Sequence, residues 1–89
     1  MGQIAAKYDL MPGSTDVNLD DVIAKLASVV PAGVQVVETS ILPVAFGLMK
    51  VHAGFVIDDS DEEVGSKLEE ALRAIDGIEN VECVDTSVI

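Results

Sequence analysis

The sequence predicts an α+β fold: a four-stranded antiparallel sheet with two helices on one face. Three observations predict it. Several stretches alternate apolar and polar side chains at period two, as half-buried strands do. Two others repeat apolar residues at i, i+3, i+4 and i+7, as amphipathic helices do. Their order along the chain is β-α-β-β-α-β, and right-handed crossovers bring both helices to one side of the sheet. That arrangement is the ferredoxin-like sandwich.

Residues 3–11 read as the first strand. Ile4, Ala6, Tyr8 and Leu10 form one face, Gln3, Ala5, Lys7 and Asp9 the other, and Pro12-Gly13-Ser14 ends it. Residues 18–30 read as the first helix, with Leu19, Val22, Ile23, Leu26, Val29 and Val30 as its apolar stripe. Asn18 is its N-cap, Asp20 and Asp21 suit the positive end of the dipole, and Pro31 and Gly33 stop it. Residues 34–41 read as a Val-rich second strand interrupted by Glu38 and Thr39. Leu42-Pro43-Val44-Ala45 reads as a connection, because Pro43 cannot donate to a ladder. A connection that short pairs strands two and three antiparallel.

Residues 46–57 read as a long central strand, the stretch that organises the chain. Gly47, Met49, Val51, Ala53, Phe55 and Ile57 fall on its uncharged side; Phe46, Leu48, Lys50, His52, Gly54 and Val56 fall on the other. An acidic loop follows over residues 58–63. For the second helix, Ser66 with Glu69 is preferred to Ser60 with Glu63 as the capping box, since it leaves Gly65 outside. Val64, Leu68, Ala71, Leu72 and Ile75 supply the stripe, and Gly77 is the expected C′ residue. Residues 78–86 read as the fourth strand, with Cys83 as a small core residue.

At 89 residues the chain is read as one domain spanning 1–89. Sixteen acids against five bases give a net charge of −11. Phosphate binding is driven by Lys and Arg, so this balance argues against direct nucleic-acid binding and against an anionic membrane. It serves solubility, and it suits a partner with a basic surface. A lone Cys, no secretory pattern and no run of about 20 apolar residues lead to a cytoplasmic expectation.

The catalytic inventory is thin: one His, one Cys and one Tyr, with no CxxC, no Gly-rich phosphate loop and no HExxH. His52 reads as a surface residue on an open sheet. Asp59, Asp61, Glu63 and Glu70 fall at EF-hand positions, but Val64 stands where the sharp turn demands Gly, so no metal site is expected. No catalytic residue and no cofactor are assigned. Phe46 remains: an aromatic at the strand's entrance either seals the core or protrudes as an interaction anchor.

Leu42-Pro43-Val44-Ala45-Phe46-Gly47-Leu48, running into Lys50-Val51 and on to Val56-Ile57-Asp58-Asp59, resembles the translation elongation factor 1-beta family. The likeness covers essentially the whole chain, Met1-Gly2 and Met11-Pro12 included. It implies the same ferredoxin-like fold. It also implies guanine-nucleotide exchange, without chemistry of its own, on the translation GTPase that carries aminoacyl-tRNA: GDP release and GTP reloading. Carried over, the aromatic that inserts near the GTPase switch region is Phe46, supported by Pro43, Ala45 and Gly47. Lys50, Val88 and Ile89 complete the implied partner-binding set. The family's eukaryotic members place a basic residue near the C-terminus, but this chain ends Asp85-Thr86-Ser87-Val88-Ile89 without one. The free protein is expected to be a monomer. Two other readings compete: a stand-alone small-molecule regulatory domain of the same fold, and an acylphosphatase-like enzyme. The latter wants an Arg in the loop Met11-Pro12-Gly13-Ser14-Thr15, which has none.

Overall fold

The computed structural model describes residues 2–45, 47–58 and 63–88. The elements are β1 (Gln3–Pro12), α1 (Leu19–Val29), β2 (Val34–Ala45), β3 (Leu48–Asp58), α2 (Val64–Arg73) and β4 (Ile78–Val88). The four strands form one sheet in the order β2-β3-β1-β4, with every neighbouring pair antiparallel. This is the predicted ferredoxin-like arrangement.

Alternation divides the sheet into two faces. Ala6, Tyr8 and Leu10 of β1 and Val51, Ala53, Phe55 and Ile57 of β3 are buried beneath the helices. They form one cluster with Leu19, Val22 and Leu26 of α1 and Val64, Leu68 and Leu72 of α2. The Tyr8 and Phe55 rings meet edge to face at 6.0 Å, the favourable sense of the aromatic quadrupoles. Helix α1 starts as its sequence dictates: Asn18 Oδ1 accepts from the amides of Asp20 and Asp21 at 3.0 and 3.4 Å.

Several boundaries move. β2 runs through Pro43 to Ala45 instead of stopping at residue 41, with Pro43 opposite Met49. It is an edge strand, where a missing N–H costs no ladder bond. The predicted break at Glu38 is a bulge: the register shifts between Val36 and Glu38. β3 starts at Leu48, two residues later than predicted, because Ala45 pairs with Leu48 across a two-residue loop. Gly47 in that loop has φ +80, a conformation that side chains resist.

Helix α2 starts at Val64, so Gly65 lies inside it, and no side chain caps the N-terminus. Burial of Val64 in line with Leu68 and Leu72 outweighs the local capping preference of Ser66. The helix ends at Arg73 with Ala74 as cap, so Gly77 is not its C′ residue. Gly77 serves the turn into β4 with φ +90, its carbonyl accepting from the Gly13 amide at 3.0 Å. Cys83 is exposed, not core: β4 is the outer edge strand, and of its side chains only Val81 is buried.

Candidate functional site

The predicted partner-binding residues divide between the two ends of an elongated molecule, 42 × 20 × 17 Å. Pro43, Ala45 and Gly47 are exposed at the tip of the β2–β3 hairpin, with the neighbouring Leu42 and Val44 also exposed. Phe46, which the sequence reading places at the entrance of the third strand, lies outside the described residues, as does Ile89. Asp59 and Asp61, two of the four acids of the calcium reading, lie outside them too.

The hairpin tip stands clear of the core because of register. Pro43 pairs with Met49 and Ala45 with Leu48, the register shifting at Val44 between them, beyond the point where β1 and β3 part company after Leu10 and Val51. The tip is therefore a two-stranded ribbon, stiffened by pairing and by Pro43. On its inner side a cleft of about 260 Å³ opens between the hairpin and the start of α1, lined by Pro12, Val17, Leu19, Ile41, Gly47 and Met49 among others.

Val88 lies at the other end. It pairs with Ile4, whose partner on the far side is Ile57. Eight residue steps separate Met49 from Ile57, roughly 26 Å at the rise of an antiparallel strand. Val88 is 79% exposed and borders an apolar groove of about 340 Å³ with Ile4, Ala6, Tyr8, Ile57 and Gly65. A partner touching both the tip and Val88 must lie along the length of the sheet.

Lys50 sits on the sheet face that no helix covers, and it is not a free cation. Its ammonium donates to Asp9 Oδ2 at 2.7 Å, and His52 Nδ1 lies 2.7 Å from Asp9 Oδ1. The register explains the meeting: Asp9 is directly opposite His52, and Lys50 is two residues along the same face. Asp9 is 5% exposed. Burial alone would push its carboxyl up; the hydrogen bonds and positive charge of Lys50 and His52 outweigh this and hold it below the usual carboxylate range. An ionised carboxylate only accepts, so His52 carries a proton on Nδ1. His52 is thus no plain surface residue, as its sequence position had indicated, but one of a hydrogen-bonded trio with Asp9 and Lys50.

The sequence reading missed Asp9 as a member of this site. Its signal was present, an acid on the open face of strand one and two bases on the open face of strand three, but only the register joins them. On the covered face, Tyr8 donates to Glu69 Oε1 at 3.3 Å. Burial first, then the Glu69 charge, raise its phenol above the ordinary value, so it remains a neutral donor. Among the described residues, no cluster of His, Cys, Asp and Glu has the composition to hold a metal ion. No described helix is long and apolar enough to cross a membrane.

Fold and surface together define a ferredoxin-like α+β domain with exposed residues gathered at a hairpin tip and along an open sheet face. Residues 5–89 match the family described as the EF-1 guanine nucleotide exchange domain. The chain belongs to that family. It is 39% identical over 90 residues to elongation factor 1-beta of Methanosarcina barkeri, covering 96% of each chain. With elongation factor 1-beta of Archaeoglobus fulgidus it shares 33% identity over 89 residues and the full length of both. The Methanococcoides burtonii protein of that name is 37% identical over 86 residues, covering 96% of this chain and 94% of the relative. Among solved structures, the C-terminal domain of the MgtC protein from Mycobacterium tuberculosis superposes with a TM-score of 0.56 at 10% identity, over 99% of this chain and 87% of that one. At that identity the likeness concerns the fold alone.

Proposed function

We propose that this protein is a guanine-nucleotide exchange factor for the translation GTPase that delivers aminoacyl-tRNA, promoting GDP release and GTP reloading. The observation that carries this reading is the family match over residues 5–89, supported by full-length likeness to proteins named elongation factor 1-beta. It acts as one domain over residues 1–89, as a cytoplasmic monomer when free, and performs no bond chemistry itself.

Exchange needs only differential binding. A GTPase holds its nucleotide through a phosphate cradle and Mg²⁺. A factor that binds the empty form more tightly than the loaded form weakens nucleotide affinity, and by linkage nucleotide weakens the factor's affinity by the same ratio. Phe46 is the anchor in this reading, entering a pocket that opens when the switch region moves aside. Pro43, Ala45 and Gly47 present it on the stiff hairpin tip, and Lys50 meets the partner on the adjoining sheet face. Val88 and Ile89 touch the partner at the far end.

The test is release of fluorescent GDP from the purified cognate GTPase. A substoichiometric amount of this protein should accelerate release over many turnovers, with a rate that saturates. Release that proceeds at the spontaneous rate at all factor concentrations defeats the reading.

A further inference from the structure

The Asp9–Lys50–His52 trio has a position that its energetics alone do not explain. Replacing a buried ionic cluster by packed apolar residues is commonly neutral or stabilising, so such a cluster is weak evidence of a stability device. On the open face the register lays out a continuous path from the hairpin turn: Ala45 beside Leu48, Leu42 beside Lys50, Ser40 beside His52, with Asp9 next across the sheet. The trio therefore stands at the base of the hairpin, on one surface with its tip.

The chemistry of the trio is that of a tether. Asp9 uses one oxygen for each partner, at 2.7 Å in both cases. Lys50 carries a long flexible stem, and one of its three N–H groups is engaged by Asp9. Its side chain is 23% exposed and that of His52 18%. Held this way, the ammonium is fixed in place, its charge neutralised locally, with donor capacity left for an acceptor oxygen of a visiting surface. Preorganisation of this kind removes part of the ordering cost of binding. Around the trio on the same face stand Glu82, opposite Asp9, Lys7, two residues along β1, and Glu38, whose side chain lies over Gly54, two residues along β3 from His52.

We propose that Asp9 is a positioning residue of the exchange surface: it locks Lys50 and His52 at the hairpin base, so that Lys50 meets an acceptor oxygen of the GTPase without first being ordered. This rests on the exchange reading and adds a residue to it. An effect on docking raises the factor concentration needed for half-maximal exchange and leaves the maximal rate nearly unchanged.

The experiment measures GDP release against factor concentration for wild type, Asp9→Asn, Lys50→Gln and the double variant, with thermal melts on each. Asp9→Asn should raise the half-maximal concentration about fivefold, a typical interface-contact effect, and should add little to Lys50→Gln. If Asp9→Asn does not fold, His52→Gln, which keeps the Lys50–Asp9 bond, takes its place; its smaller rise should vanish in the Lys50→Gln background. A folded Asp9→Asn (or, in its place, His52→Gln) with the wild-type half-maximal concentration overturns the inference, as do losses that multiply in the double variant. Wild type that fails to accelerate release would instead defeat the exchange reading itself.

Discussion

Asp9 is an acid buried on a sheet face that no helix covers, and its two bonds make a pH prediction. Its folded pKa lies below the ordinary carboxylate value of about 3.9, so the stability it contributes is present above that value and lost as pH falls through the lowered one. At pH 7, Asp9→Asn should cost about 2 kcal/mol, discounted from the ~3–5 of a fully buried broken pair because both partners keep solvent access. In thermal melts this is a drop of roughly 10 °C for a domain of this size. The gap between wild type and variant should begin to narrow near about pH 4, where the unfolded chain takes up the proton first, and close as pH falls through the lowered folded value. A gap that stays constant down to pH 3 would mean the carboxylate is not the stabilising species. At this scale the sequence was half legible. Period-two alternation placed Lys50 and His52 on the wetter face, but only strand register shows what stands opposite them, and Cys83 looked like core because nothing local marks the end of helix cover.

At the scale of elements, apolar periodicity was the reliable signal and punctuation the unreliable one. Every predicted strand and helix is present, and β1, β3 and the two helices carry the long stripes matched to their own period. The errors lie where a local rule met a tertiary one. Pro43 reads as a break yet is tolerated on an edge, and Gly65 reads as an outsider yet is drawn into α2 by the burial of Val64. The glycines now give opposite predictions. Gly77 has φ +90, and an added Cβ would stand 2.9 Å from Val17 Cγ1, so Gly77→Ala should destabilise by about 2 kcal/mol or more. Gly65 is helical with nothing within 4 Å of an added Cβ, so Gly65→Ala should stabilise by about 0.5–1 kcal/mol. Denaturant melts of the two variants check both signs. A stabilised Gly77→Ala would mean that the turn into β4 relaxes freely.

Over the whole molecule, a net charge of −11 confined within 42 × 20 × 17 Å repels itself. Screening at a Debye length of about 10 Å in 0.1 M salt reaches most of these charges. The melting temperature should therefore rise by several degrees between about 0.02 and 0.5 M salt. Affinity for a basic partner surface should fall over the same range. A melting temperature that falls with salt would mean that attractive surface pairs outweigh the net repulsion. The fold was legible at this scale because connection lengths and crossover handedness leave few ways to arrange six elements. The candidate site was suggested only by likeness to a family, since an exposed hairpin tip carries no chemical signature of its own.

In the function proposed above, Phe46 is the residue through which this protein opens its partner's nucleotide site. GDP release from the cognate GTPase, measured side by side with wild type and Phe46→Ala, tests it most directly. If the claim holds, the variant melts like wild type and loses acceleration by a factor of about 30 or more, the scale of a truncated interface anchor. A folded Phe46→Ala that drives release as fast as wild type would contradict it.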